Sequence, residues 1–304
     1  MDETPRIGMD RRALLTRGVG AAVVGGAGLF LAACQQQTPN PSAQGATASG
    51  RLAEVLGRKK LLVGTGTGNP PWHFDDGGKL AGFDVDMAKI VANGLFKDPE
   101  AVEFVQEASD ARIPNLLTNK VDIVFQFMTV NPARAQQIQF TIPYYREGIG
   151  FLLSASGKYP DYAALQAGGS AAKVSILQNP DVDQLIHSVL PEAEVQPLDS
   201  QANVIQALES GRVDAAAVDQ STVRWLEVQD PGKYKDSGFG FQPQTYAAGV
   251  RPGDDEWLRF VDTALHEALT GVSFGEYATS FKKWFGVDLP SPTIGFPLEF
   301  ASRS

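Results

Sequence analysis

The sequence predicts an α/β fold built from two lobes of similar construction. Several short, almost continuously apolar strands are each entered from a helix, which is the pattern of a buried parallel sheet. The helix-to-strand unit at 116–122 (LLTNKVD) recurs at 208–214 (LESGRVD), and each copy leads into an apolar strand. A chance echo of a few residues is the alternative. The shared position within a helix–turn–strand unit favours two lobes, with left-handed residues at Asn119 and Gly211 ending the helices.

Composition narrows the possible partners. The chain has 304 residues, of which 43% are hydrophobic, so each lobe has enough material for a core of its own. The net charge of −9 argues against nucleic acid as a partner, because no basic patch is present to neutralise phosphates.

The N-terminal segment reads as an export signal. Two arginines precede an apolar run at 18–33, which is too short and too rich in glycine for a membrane span. The segment LAAC at 31–34 resembles a lipobox, so we expect 1–33 to be a lipoprotein signal peptide and Cys34, the only cysteine, to become lipidated. A plain signal peptide with a chance cysteine is the alternative, and the arginine pair also resembles a twin-arginine signal. The polar residues at 34–50 predict a flexible tether.

The stretch 82–95 predicts a turn followed by an amphipathic helix. Asp84 is a suitable N-cap, and Gly94 is a plausible stop. Four apolar residues share one helical face: Met87, Ile90, Val91 and Leu95. As a string, GFDVDMAKIVANGL resembles the signature of the bacterial extracellular solute-binding proteins, family 3, the amino-acid-capturing subunits of ABC importers.

The resemblance covers roughly residues 55–288 and implies a specific architecture. This is the type II periplasmic-binding-protein clamshell, in which two parallel-sheet lobes are joined by two crossover strands. We expect the first lobe at 51–148 and 247–288, and the second lobe at 149–246. The residues at 289–304 form a C-terminal extension that the resemblance does not place.

A candidate ligand site follows the apolar strand of the first lobe. In open parallel sheets, ligands gather outside the carboxyl ends of the strands. Asn131 and Pro132 suit the N-cap and N1 positions of a helix, which places Arg134 in its first turn. A cation there opposes the helix dipole, so Arg134 is solvated, paired with an acid, or directed at an anion. Three further candidates end the strand: Gln126, Phe127 and Thr129.

The family resemblance implies a role for Arg134. TVNPAR at 129–134 and FTIPY at 140–144 resemble the family segments Thr-x-Thr-x-x-Arg and Phe-Ser-x-Pro-Tyr. The resemblance implies that Arg134 binds the α-carboxylate of an amino acid, and that Asp219 on the other lobe binds the α-ammonium. By the residues alone, Asp219 is equally suited to be a helix N-cap. The carboxylate and the ammonium group of a zwitterion then both find their partners only when the lobes close by a hinge motion.

Four other candidates match the family pattern less closely. Trp72 lies at an aromatic position near the mouth of the site, whereas Asn69 and Ser109 replace residues that are aromatic in some members. Asp181 stands in a helix start that helps to hold the carboxylate, where its charge would repel that of the ligand. This departure favours a basic or hydroxylated side chain, or a ligand that is not an α-amino acid.

We therefore expect a lipid-anchored, exported monomer that faces the periplasm or the extracellular side. It would deliver a small zwitterion, an amino acid, to an ABC permease and its ATPase, with no cofactor, metal or catalytic residue. The histidines lack metal-ligand spacing, and no Gly-x-Ser-x-Gly elbow is present. Two alternatives share this fold: an exported cyclohexadienyl or prephenate-type dehydratase, and a sensor that reports its ligand to a receptor.

Overall fold

The computed structural model describes residues 48–178 and 182–295. Several predictions lie outside these residues: the signal peptide, Cys34, most of the tether, Asp181 and the end of the C-terminal extension. Within the described ranges, no helix combines the length and apolar character needed to cross a membrane.

Two five-stranded sheets form the body, as the predicted α/β fold requires. The first has the strand order β5-β1-β6-β13-β7. Its strands are β1 (Leu61–Thr65), β5 (Val102–Gln106), β6 (Ile123–Val124), β7 (Gln139–Phe140) and β13 (Gly249–Val250). A small three-stranded sheet stands beside it and comprises β2 (Gly68–Asn69), β3 (His73–Asp75) and β4 (Leu80–Ala81). The associated helices are α1 (Gly50–Arg58), α2 (Phe83–Phe96), α3 (Arg112–Leu117), α4 (Pro132–Ala135), α9 (Asp255–Thr270) and α10 (Phe274–Phe285).

The second sheet has the order β10-β9-β11-β8-β12. Its strands are β8 (Tyr145–Ser154), β9 (Lys173–Leu177), β10 (Glu194–Leu198), β11 (Ala215–Asp219) and β12 (Tyr234–Tyr246). The helices packed on it are α5 (Tyr162–Ala167), α6 (Val182–His187), α7 (Gln201–Glu209) and α8 (Gln220–Gln229). Apolar clusters cover both faces of this sheet, whereas the largest core lies between the first sheet and α2, α9 and α10.

The internal echo in the sequence corresponds to the same construction in both sheets. The Asp122 carboxylate accepts a hydrogen bond from the backbone N–H of Leu62 at 2.8 Å, and Asp214 accepts one from Lys173 at 2.9 Å. In each case an aspartate before one strand ties down the start of the neighbouring parallel strand. The preceding residues Asn119 and Gly211 have φ values of 61° and 69°, so the predicted left-handed conformation is confirmed.

Helix α2 differs from its prediction at both ends. Its N-cap is Gly82, whose φ is 133°, and a Cβ there would lie 2.1 Å from the Trp72 carbonyl oxygen. The prediction of Asp84 as N-cap was wrong, because this side chain is turned into the protein and bonded elsewhere. The predicted stop at Gly94 was also wrong. The helix continues to Phe96, and Lys97 ends it in the left-handed conformation at φ 56°.

Strands β8 and β12 run antiparallel to each other in the second sheet, with Tyr145 opposite Tyr246. At this end of the pair, both tyrosines pack into the core of the first sheet. The chain therefore passes between the sheets just before β8 and just after β12. The domain boundaries at 148/149 and 246/247 remain a prediction.

A second contact between the sheets involves helix α8. The Trp225 ring lies 5.6 Å from the ring of Phe74 and 5.6 Å from that of Trp284, both from the first core. Beyond α10, Leu289 packs against the same core, and the residues up to 295 form no helix or strand.

Candidate functional site

Arg134 occupies the position that the sequence predicts, in the first turn of α4. The Asn131 carboxamide oxygen accepts the Arg134 backbone N–H at 2.9 Å, which confirms Asn131 as N-cap with Pro132 after it. The guanidinium donates to the Thr129 carbonyl oxygen at 2.8 Å, which orients the side chain. Among the described residues, no carboxylate lies within 4.0 Å of this guanidinium. Most of its N–H donors therefore remain available to an anion.

A second guanidinium reinforces the positive charge near Arg134. Arg112 is 9% exposed and donates to the carbonyl oxygens of Ser109 at 2.7 Å and Gln126 at 3.1 Å. Burial lowers the pKa of Arg112, and the charge of Arg134 lowers it further. These bonds fix the loop after β5 to the end of β6, so Arg112 holds two candidate segments together.

Asp219 ends β11 and stands at the N-cap position of α8. Its side chain makes no N-cap hydrogen bond, and it forms no ion pair with any described residue. Burial raises the pKa of this carboxyl. The structure thus leaves a partly buried acid at the carboxyl end of a strand of the second sheet, whereas the other described candidates belong to the first.

Phe127 is held in an unusual backbone conformation by Asp84. Its φ is 36°, which costs energy for a residue with a side chain. The Asp84 carboxylate compensates by accepting the Phe127 N–H at 2.9 Å, the Tyr144 hydroxyl at 2.6 Å and His73 Nδ1 at 2.9 Å. The Phe127 ring stacks on His73, with centroids 5.0 Å apart. Asp84 is therefore the anchor that fixes the loop leading to Thr129 and Arg134.

Trp72 is 4% exposed and packs among aromatic rings of the core. Its centroid lies 6.2 Å from that of Phe127 and 5.1 Å from that of Tyr246. The indole N–H donates to Ser221 Oγ at 3.2 Å, and the Ser221 backbone N–H donates to Glu147 Oε1 at 3.3 Å. This chain of hydrogen bonds joins the first core, the start of α8 and the crossing strand β8.

Glu147 is a buried acid that the sequence did not single out. It is 2% exposed, and its Oε2 atom has no hydrogen-bond partner in the described structure. Burial raises its pKa to about 7, and the neighbouring Asp219 carboxylate contributes to this shift. Two acids therefore share the region where α8 begins, and neither forms an ion pair within residues 48–178 and 182–295.

We expect Glu147→Gln to change how stability depends on pH. Glu147 has a pKa of about 7 in the folded state against 4.5 as its ordinary value. Between these pH values the carboxyl is therefore protonated in the folded protein and ionised in the unfolded protein. Stability then falls as pH rises from about 4.5 to about 7, by on the order of 3 kcal/mol from this group. Glutamine retains an oxygen for the N–H groups of Gly148 and Ser221 but has no charge.

Urea denaturation of the ligand-free protein at pH 5 and pH 8 measures this effect. The free energy of unfolding of Glu147→Gln minus that of the parent should be larger at pH 8 than at pH 5. An equal difference at both pH values would contradict the buried-charge interpretation.

Three of the remaining candidates line one cavity at the carboxyl ends of β1, β5 and β6. Its volume is about 450 Å³. The lining residues are Gly66, Thr67, Asn69, Gln106, Glu107, Ala108, Ser109 and Gln126. Asn69 also contacts His73 at 3.3 Å between Asn69 Nδ2 and the ring Nε2. The structure therefore brings Asn69, Ser109 and Gln126 together, near Phe127.

Glu107 is the second acid that sequence reasoning missed. It is 7% exposed, and one carboxylate oxygen accepts the Asn115 side-chain N–H at 2.6 Å. Burial raises the pKa of this carboxyl. One signal was present in the sequence, because Glu107 directly follows the strand VEFVQ at 102–106, and ligand-binding side chains gather at the carboxyl ends of parallel strands. Glu147 offered no such signal, since it lies inside a strand.

No group of three or more His, Cys, Asp or Glu side chains that could hold a metal ion occurs among residues 48–178 and 182–295. The histidines are dispersed, and His73 is used to bond Asp84.

Comparison with known proteins gives a consistent result. Residues 61–287 match the family described as bacterial extracellular solute-binding proteins, family 3. The ABC transporter glutamine-binding protein GlnH of Bacillus subtilis is 26% identical over 262 residues, which cover 86% of this chain and 93% of that protein. A putative ABC transporter arginine-binding protein 2 of Escherichia coli is 30% identical over 71% of this chain and 86% of its own length.

Among solved structures, an ancestral cationic amino acid solute-binding protein superposes with a TM-score of 0.65 at 29% identity. The match covers 78% of this chain and the whole of that chain (100%). The two-lobed architecture predicted from the sequence is thereby confirmed.

Proposed function

Because the chain belongs to the bacterial extracellular solute-binding proteins, family 3, we propose that it is the substrate-binding component of an ABC importer. Its fold is the type II clamshell of periplasmic amino-acid-binding proteins. In our proposal the protein captures a small zwitterion, an amino acid, between its lobes and delivers it to a membrane permease that works with an ATPase. It acts as a monomer, exported and held at the membrane by a lipid on Cys34.

The observation that supports this function is the placement of two opposite charges. Among the described residues, the Arg134 guanidinium in the first turn of α4 has no acidic partner, and the Asp219 carboxylate at the end of β11 forms no ion pair. They belong to different sheets that are joined by two crossing segments. A ligand with a carboxylate and an ammonium group can bind both, so it stabilises the closed arrangement by its greater affinity for that state.

Binding rather than catalysis is supported by the relatives. The glutamine-binding and arginine-binding proteins described above bear names of transport proteins. Recovery of the bound amino acid unchanged, after prolonged incubation with the protein, is the result we expect from mass spectrometry. Conversion of the ligand would favour the dehydratase alternative.

We expect Asp219→Asn to weaken amino-acid binding by about tenfold to a hundredfold, because an ammonium group loses its charged acceptor. The full chain is purified in detergent, freed of ligand by unfolding and refolding, and titrated calorimetrically with the natural amino acids. Asp230→Asn, at an exposed position, is the matched control and should bind like the parent.

The tightest ligand of the parent protein is then titrated into both variants. Equal affinity of Asp219→Asn and Asp230→Asn would remove Asp219 from the site. Failure of every amino acid to bind the parent protein would overturn the proposed function.

A further inference from the structure

Three buried oxygen atoms without hydrogen-bond partners lie together at the carboxyl end of β1. They are Thr65 Oγ1, Glu107 Oε1 and Gln126 Oε1, out of seven such side-chain atoms in the described part of the chain. Their residues are linked directly, since the Glu107 N–H donates to the Thr65 carbonyl oxygen at 2.9 Å and Gln126 Nε2 donates to the Glu107 carbonyl oxygen at 3.3 Å. Leaving a buried acceptor unpaired costs about 1–3 kcal/mol, so a cluster of unpaired acceptors indicates a place where a bound ligand supplies hydrogen-bond donors.

The cluster borders an open space of suitable size. Glu107 and Gln126 both line the cavity of about 450 Å³, although they are only 7% and 2% exposed. At Gly66, which lines the cavity, a Cβ would lie 2.7 Å from His73 and 3.0 Å from Gln126 Nε2, so glycine allows these two side chains to approach the backbone closely. Ligand cavities are commonly of this size, with a few polar groups set in fixed positions.

Glu107 forms no ion pair with any cation in the described part of the chain. Its Oε2 atom is held by the neutral Asn115 side chain. The positive charges of Arg112 and Lys120 act on the carboxylate and lower its pKa in part, but neither group lies within 4.0 Å of it. Arg112 is instead committed to two backbone carbonyl oxygens. A buried carboxylate in this setting gains most from a bound cation that also donates hydrogen bonds.

We propose that this cavity receives the side chain of the ligand, and that Glu107, assisted by Gln126, selects a cationic amino or guanidino group. This inference rests on the proposed function, in which Arg134 binds the α-carboxylate. Gln126 and Arg134 belong to one short segment, eight positions apart, and Arg112 bonds the start of that segment. The cavity therefore adjoins the place where the α-carboxylate is bound, and a side chain extends from one into the other.

The test compares charged and neutral ligands of the same shape. The full chain, freed of ligand, is titrated calorimetrically at pH 7.5 with L-arginine, L-lysine, L-citrulline and L-glutamine. We expect L-arginine or L-lysine to bind the parent protein at least about tenfold more tightly than L-citrulline, which has the shape of arginine without its charge. Glu107→Gln should reduce this ratio at least about tenfold, mainly by weakening the cationic ligand.

Two further variants keep the result interpretable. Glu103 lies in an exposed position on β5, the strand that Glu107 follows, and Glu103→Gln should leave the ratio unchanged. Ser109→Lys places a competing cation at an exposed edge of the cavity, so it should lower the affinity for L-arginine more than that for L-citrulline even if Glu107→Gln folds poorly.

The possible outcomes separate the two proposals. A parent protein that binds neutral amino acids as tightly as cationic ones, or a ratio unchanged by both Glu107→Gln and Ser109→Lys, would overturn the assignment of this cavity. The proposed function would survive that result. Absence of binding by any amino acid would overturn both.

Discussion

Arg134→Ala should abolish detectable binding of the amino-acid ligand, with affinity reduced by about a hundredfold or more. Each hydrogen bond to a charged group is worth about 1.5–3 kcal/mol, and a guanidinium can make two in parallel with one carboxylate. The existing bond to the Thr129 carbonyl oxygen leaves donors free for this purpose. Arg134→Lys retains the charge but not the planar pair of donors, so we expect it to bind with intermediate affinity.

Stability provides the complementary readout for this variant. A cation in the first turn of a helix opposes the dipole, and the nearby Arg112 adds repulsion. Loss of Arg134 should therefore leave the free energy of unfolding of the ligand-free protein unchanged or slightly higher in urea denaturation. Arg259→Ala, on an exposed face of α9, is the control for affinity. Retained binding in Arg134→Ala would show that the carboxylate is held elsewhere.

Asp84→Ala is expected to have the largest effect on stability. The carboxylate is fully buried and accepts from the Tyr144 hydroxyl, from His73 and from the Phe127 N–H. Removing the acceptor of a buried donor costs about 1–3 kcal/mol, and three donors lose theirs here. We expect the free energy of unfolding to fall by about 3–6 kcal/mol in urea denaturation.

Two variants test whether this loss comes from the hydrogen bonds. Asp84→Asn keeps the volume and one acceptor oxygen, so it should lie between the parent and Asp84→Ala. Asp76→Ala, in an exposed turn, should change stability by less than about 0.5 kcal/mol. A loss of less than about 1 kcal/mol in Asp84→Ala would contradict the role of Asp84 as an anchor.

The parts of the site that the sequence predicts correctly depend on local geometry. Asn131 as N-cap places Arg134 through a relation over three residues, and both are found as expected. The left-handed residues Asn119 and Gly211 also follow from adjacent positions. At these positions the local conformational preferences of residues at helix ends are retained in the folded structure.

The parts that were wrong or missed depend on contacts distant in sequence. Asp84 satisfies the local rule for an N-cap, but Tyr144, 60 residues later, supplies one of three donors that draw it into the core. The isolation of Glu107 Oε1 becomes visible only when β1 and β5 pair and place this side chain over Gly64. The pattern of residue types along the chain does not predict which oxygen atom remains without a hydrogen-bond partner after folding.

Both ends of the described chain belong to the first lobe. Ser49, just before α1, donates its N–H to Glu256 on α9 at 3.1 Å, and α10 at the other end packs in the same core. The second sheet, by contrast, is an insertion whose strands all lie between Tyr145 and Tyr246. A rotation of this insertion about its two connections would displace neither chain end. An attachment through the residues before 48 would therefore tether the protein through its first lobe while leaving the second free to turn.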